Sequence, residues 1–164
     1  MKRIHFILIL LTIFICPACE EEGTCTEDVI SRIRAGFYVR DGSEERDTTL
    51  STVTFFGVLR PDSLLYDASS GEQEIIFPLS NSTENFTSFV FTVDTQTDII
   101  KIWHQSRLHM VSYACGFTTV HDLYSIGYDQ NIIDTITISD PTVNLGNAEN
   151  IKIYIRPAVA DAPQ

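Results

Sequence analysis

Four cysteines carry the chemistry that is easiest to read in this chain: Cys16 and Cys19 near its start, then Cys25 and Cys115. Small Ala18 precedes Cys19, and Glu20, Glu21 and Glu22 follow it. That setting is like a bacterial lipobox, in which the thiol takes a diacylglycerol and its residue becomes the mature N-terminus. Cys16 does not suit that role, because bulky Ile15 stands where a small residue is needed; it occupies instead the position where lipoboxes usually carry Leu. Once Cys16 leaves with the signal and Cys19 is acylated, Cys25 and Cys115 are the thiols that remain. An exported pair meets an oxidising compartment, so a disulfide between them is expected. There is no CxxC pair with a second partner pair, so no structural zinc site is expected.

The other polar candidates point to less. His104 and His109 flank Gln105-Ser106-Arg107-Leu108, read here as a turn that would let them face each other across a hairpin, with His121 further on. Two turn histidines fall short of the three or four ligands that zinc requires, so surface residues are expected and no metal. Asp94, Thr97 and Asp98 offer oxygens in one short stretch but lack the twelve-residue calcium pattern and its closing Glu, which leaves a solvated turn. The sequence contains no Gly-x-Ser-x-Gly, His-Glu-x-x-His, phosphate-cradling glycine loop or Ser-x-x-Lys. No catalytic residue, no cofactor and a non-enzymatic role are therefore expected, although a glycosidase-type carboxylate pair leaves no local signature. Trp103, Tyr113, Tyr124 and Tyr128 would either pack the fold or form a platform on which a sugar stacks. Asp47-Thr48-Thr49, Asp62-Ser63-Leu64 and Asp134-Thr135-Ile136 fit a three-residue Asp-Ser/Thr-apolar O-glycosylation acceptor, with Thr48, in a charged loop, the best placed.

The elements that must position these groups begin with an export signal. Lys2, Arg3 and His5 lead into an apolar run from Phe6 to Ile15 broken only by Thr12, which is shorter than the ~20 residues that span a bilayer. The reading is a signal peptide over 1–18 in helical form, an acidic linker over 19–29, a β-domain over 30–156 and a loose tail over 157–164. Acyl chains at Cys19 would tether the protein without spanning the membrane, each buried methylene contributing ~0.8 kcal/mol. Loss of Lys2 and Arg3 takes the net charge from −11 to −13. That excess argues against nucleic acid as a partner and against adhesion to anionic headgroups, since both need a positive field.

The 146 residues from Cys19 onward are enough for one domain. Ile33, Ala35, Phe37 and Val39 alternate with polar residues, as do Phe89, Phe91 and Val93 and then Ile151, Ile153 and Ile155, the period of half-buried strands. Further strands are expected over Thr49–Leu59, Ser63–Tyr66, Glu74–Leu79, Ile99–His104, Leu108–Cys115, Thr119–Tyr128 and Ile132–Ser139, with Pro78 marking an edge. About nine short strands without a sustained helical period predict an all-β, immunoglobulin-like two-sheet antiparallel sandwich. Its expected core includes Ile33, Phe37, Val53, Phe55, Phe89, Phe91, Ile136 and Ile153.

Several features together resemble a family of small uncharacterised lipoproteins of Bacteroidota: Cys19, Cys25, the strand with Arg34 and Phe37, Phe56-Gly57 leading to Arg60-Pro61-Asp62-Ser63, Cys115-Gly116, and Ile136 with Asn150-Ile151-Lys152-Ile153-Tyr154. The resemblance implies fold and compartment and carries no assigned activity. Glu20 to Glu22 likewise resemble the acidic signal that sends such lipoproteins to the outer face of the outer membrane. The expected function is an outer-membrane-anchored, non-enzymatic structural or interaction module of the cell envelope, partnered by the membrane and by an envelope protein or glycan. The alternative is a surface glycan- or peptide-binding accessory protein of a nutrient uptake system.

Overall fold

The structure, a computed structural model, describes residues 24–26, 28–81 and 84–157. The signal over 1–18 with its expected helix, Cys19, the first part of the linker and all but the first residue of the tail lie outside the described residues. Among the described residues eleven strands form, rather than about nine: β1 (Arg32–Asp41), β2 (Glu44–Asp47), β3 (Val53–Gly57), β4 (Leu64–Ser69), β5 (Glu74–Pro78), β6 (Phe86–Val93), β7 (Gln96–Ser112), β8 (Gly116–Tyr128), β9 (Ile133–Ile138), β10 (Thr142–Val143) and β11 (Ile151–Ile155). They make two sheets. The first runs β2–β1–β11–β9 with β5 also on β1, and the second runs β10–β8–β7–β6–β3–β4. What the structure shows of the immunoglobulin-like expectation is this two-layer architecture.

One pairing departs from a wholly antiparallel sandwich. β1 and β11 run parallel, Ala35 opposite Ile151 through Tyr38 opposite Tyr154, so the first and last strands meet at the centre of the first sheet. The charged segment Asp41–Asp47, expected as a loop, folds back as β2 across the two-residue turn Gly42-Ser43. Gly42 takes φ +61°, which a glycine adopts without steric cost. β5 lies on the edge of β1 with Pro78 at its end, where a missing N–H costs no ladder bond.

Alternation explains the core. From the first sheet, Ile33, Phe37, Ile75, Phe77, Ile151 and Ile153 point inward; from the second, Val53, Phe55, Phe89, Phe91, Ile100 and Ile102 meet them. Phenylalanines bridge the layers: Phe37 stacks on Phe91 with centroids 5.7 Å apart, and Phe77 packs on Phe55 and Phe89 at 4.7 and 4.8 Å. Each such pair contributes about 0.5–1.5 kcal/mol beyond the burial of its area. Ile136, expected in the core, is only half-buried, because β9 lies at an edge of its sheet. The strand expected over Thr49–Leu59 shortens to Val53–Gly57 and ends in a turn closed by Arg60 N–H to the Gly57 carbonyl (2.8 Å), which leaves Leu59 exposed.

The largest correction concerns β7. Gln105-Ser106-Arg107 is no turn: one strand runs unbroken from Gln96 to Ser112, antiparallel to β8 along nearly its whole length. The solvated turn expected to hold Asp94, Thr97 and Asp98 tightens to Asp94-Thr95, with Val93 opposite Gln96.

Candidate functional site

The long β7–β8 hairpin holds most of the residues singled out from the sequence, and its two halves differ. Near the sandwich, β7 pairs with β6 as far as Trp103 opposite Phe86, and β8 pairs with β10 at His121 and Asp122. Beyond those points β7 and β8 pair with each other alone, Leu108 opposite Thr119 and Met110 opposite Phe117, out to Ser112 opposite Gly116. This arm is exposed: Leu108 is 74%, Met110 45%, Tyr113 99% and Phe117 65% accessible.

A disulfide joins Cys115, in the loop at the arm's tip, to Cys25, as expected from the thiol count; their Cα atoms are 4.8 Å apart, inside the range a disulfide needs. The N-terminal segment follows the arm inward. Thr118 Oγ1 donates to the Val29 carbonyl, and Ser31 Oγ donates to the Thr119 carbonyl (2.5 Å). Asp28 accepts from Arg32 (2.5 Å), whose guanidinium holds that carboxyl below its ordinary range. The described segment from Cys25 to Ser31 and the hairpin arm are thus tied together covalently and by hydrogen bonds.

At the arm's root lies a polar cluster that sequence reasoning did not assemble. His104 and His109 fall on opposite faces of one strand, so they do not face each other; His104 meets His121 instead, their buried rings edge-on at 4.9 Å. Ser106 Oγ lies 2.9 Å from His121 Nδ1 and 3.3 Å from His104 Nδ1, and Thr87 Oγ1 lies 2.9 Å from His104 Nε2. Burial pushes the His104 pKa down, and burial together with the neighbouring His104 lowers that of His121 to about 4. Both rings are therefore neutral near pH 7. A base this weak is poorly matched to activating Ser106 at neutral pH, where general bases work best with pKa values close to ambient. Among the described residues no three His, Cys, Asp or Glu side chains converge to hold a metal. The cluster is a hydrogen-bonded lining at the point where the two-layer core ends.

Asp98 also departs from its expected setting. It is fully buried, and its carboxylate accepts the backbone N–H groups of Asn131, Ile132 and Ile133, each at 2.9 Å. Those donors occupy the oxygens a cation would take. The carboxylate clamps the crossover from β8 in the second sheet to β9 in the first. The signal was present in the sequence, since Asp98, Ile100, Ile102 and His104 share one phase of the strand.

The four aromatics do not form one row. Tyr113 sits at the arm's tip, and Tyr128 is half-buried with its hydroxyl donating to Thr135 Oγ1 (3.3 Å). Trp103 lies on the outer face, close over Gly127, where a Cβ would stand 3.0 Å from the ring. Lys101 Nζ sits 3.7 Å from the Phe86 centroid and 5.0 Å from that of Trp103, while the exposed Tyr124 lies nearby with its hydroxyl toward the Asn85 carbonyl (3.4 Å). Of the three Asp-Ser/Thr motifs, Ser63 is exposed in the β3–β4 turn. Thr48 follows β2, half-buried, with its N–H bonded to the Phe37 carbonyl (2.9 Å), and Thr135 lies within β9.

Elsewhere, a shallow open cleft of about 260 Å³ lies among Asp28, Arg32, Arg34, Ile76 and Asn144. Its cations are already paired, Arg32 with Asp28 and Arg34 with Glu74 through two bonds of 2.5 and 3.2 Å. On the outer face of the first sheet, Tyr38 donates to Glu149 (2.7 Å), Tyr154 donates to Glu45 (2.5 Å) and Lys152 pairs with Glu45. Gly36 permits this packing, since a Cβ there would overlap Glu149.

No curated protein and no solved structure matches the chain. A family model does match, from Leu50 to Ile155, and so takes in β3 to β11 with the whole hairpin and the aromatic core of the second sheet. On that match, which covers well over half of its length, the chain belongs to the family of unknown function DUF6452.

Proposed function

We propose that this protein is an outer-membrane lipoprotein, acylated at Cys19, that serves as a non-enzymatic structural or interaction module of the cell envelope. The observation that carries the reading is the Cys25–Cys115 bond, because a closed disulfide suits an oxidising compartment and lies six residues from the acylation motif. The apolar signal before Ala18-Cys19 supports the same compartment, and Glu20 to Glu22 support delivery to the outer face. The non-enzymatic role is supported by the weak basicity of the His104–His121 pair and by the commitment of Asp98 to backbone donors. Metabolic labelling with a clickable fatty acid tests the anchor: label is expected on the native chain and absent from Cys19→Ser, and label retained in the variant would overturn it. Protease shaving of intact cells tests outer-face exposure.

A second reading, a surface glycan-binding accessory protein, is favoured by one observation, the grouping of Phe86, Trp103 and exposed Tyr124 on the outer side of the second sheet. Titration with envelope or exogenous polysaccharides while following Trp103 fluorescence tests it. A saturable change that Tyr124→Ala abolishes supports this reading.

A further inference from the structure

We infer that the apolar face of the β7–β8 arm is a second membrane contact, with Leu108, Met110 and Phe117 resting in the headgroup boundary and Tyr113 at the tip. The inference rests on the lipoprotein reading and adds to it a surface, an orientation and the lipid bilayer as occupant.

Register places the three apolar side chains together. Residues directly opposite in an antiparallel pair share a face, so Met110 and Phe117 are neighbours, and Leu108 lies two residues along β7 on the same side. That side continues the inward face of Ile100, Ile102 and His104, but no part of the first sheet extends over it. A two-stranded ribbon is marginally stable alone, and an exposed apolar face adds cost in water. Both are met if the face has a partner.

Reach identifies the partner. Cys115 at the arm's tip is bonded to Cys25, and the chain from Cys25 back to the acylated Cys19 is six residues. At no more than about 3.6 Å per residue Cys25 stays within about 22 Å of the lipid anchor, and Cys115, whose Cα is 4.8 Å further across the disulfide, within about 26 Å, less than the ~30 Å of a bilayer's hydrocarbon core. The disulfide therefore holds these apolar side chains beside the membrane, at a distance that linker flexibility cannot enlarge.

Charge agrees. The chain has 22 acidic residues, yet none falls between Ile99 and His121, a stretch that carries Lys101 and Arg107. Between Ile99 and His121 the arm thus carries no acidic group of its own for an anionic lipid surface to repel, although the linker tied to it carries Glu20 to Glu22 and Asp28. Arg107 and His109 fall on the ribbon's other face, Arg107 paired with Asp122 (3.1 Å), so the apolar face is free of formal charge.

The test uses the full acylated chain in phosphatidylethanolamine–phosphatidylglycerol vesicles with brominated acyl chains. Phe117→Trp is compared with Thr95→Trp, which sits in the exposed β6–β7 turn at the far end of β7, and the Trp103 signal of the native chain is subtracted. The expected result is a blue-shifted emission from position 117, quenched severalfold more strongly than that from position 95. Equal quenching at the two positions, in protein whose fatty-acid label shows it is acylated, overturns the arm contact and leaves the lipoprotein reading standing. Protein that carries no label at Cys19 overturns both. Crosslinking between arms of two copies, together with weak quenching at position 117, overturns the lipid contact in favour of a second copy.

Discussion

The two halves of the β7–β8 hairpin are built from the same two strands with the same alternation, yet they live in different surroundings. In the half nearest the turn Asp94-Thr95, Asp98, Ile100, Ile102 and His104 are buried beneath the first sheet and flanked by β6. In the other half, Leu108 and Met110 continue the same phase into solvent. The strand is the same; what changes is the opposing layer and the third strand. Alternation reports which side chains share a face, and the opposing layer decides whether that face is core.

The largest contrast between the halves is energetic. Phe91 stacks on Phe37 and lies against Phe55, so Phe91→Ala is expected to cost about 3–5 kcal/mol in urea unfolding. A loss below 1 kcal/mol would mean that the two sheets are not locked by this aromatic contact.

The disulfide sharpens the contrast at somewhat lower cost. Replacing Cys25 and Cys115 together by Ser removes a link across 90 residues and is expected to destabilise by about 2–4 kcal/mol. Its local effect should be uneven. Amide exchange should speed up from Leu108 to Phe117, which has no third strand, and change little at Ile100 and Ile102, which do. Uniform acceleration through both halves would erase the distinction.

The junction between the halves should respond to pH. His121 is neutral in the fold, with a pKa of about 4, while an unfolded histidine titrates near 6.5. The unfolded chain therefore binds the extra proton first, and stability falls as pH drops through that interval, by about 2 kcal/mol at pH 5. Burial is the main cause, His104 lowers the value further, and Asp122, itself paired with Arg107, opposes them without reversing the sign. His121→Gln should flatten the slope between pH 6.5 and 5; an unchanged slope would show that the ring does not titrate in that window. Carboxylates such as Asp28 and Glu45, held low by Arg32 and Lys152, act below that range.

Much of this was legible in the residues. Period two in Ile33–Val39, Phe89–Val93 and Ile151–Ile155 is enough to place the core strands, and the thiol count is enough to pair Cys25 with Cys115. Gln105-Ser106-Arg107 misled because three polar residues between apolar runs look like a turn, whereas here they mark the place where a continuous strand leaves the sandwich. Asp98 misled for the opposite reason: its charge suggested solvent, but the donors that satisfy it come from Asn131 to Ile133, more than thirty residues away. Such pairings are tertiary, and a reading of neighbours in sequence does not contain them.

The smallest expected effect is the sharpest test of what covers the arm. Leu108 and Met110 bury little area in the isolated protein, so Leu108→Ser and Met110→Ser should each change stability in detergent-free solution by no more than about 0.5 kcal/mol, the usual range for exposed positions. The same pair of changes in the buried half, at Ile100 and Ile102, removes core volume and places hydroxyls between the sheets, for a loss of several kcal/mol. The comparison is informative because strand, phase and residue type are held nearly constant, and the opposing layer is what varies. If Leu108→Ser costs more than 1 kcal/mol without a membrane, something in the protein itself packs on the arm, such as a second copy. If it costs nothing in solution but lowers retention on vesicles, the missing layer of this half of the hairpin is lipid.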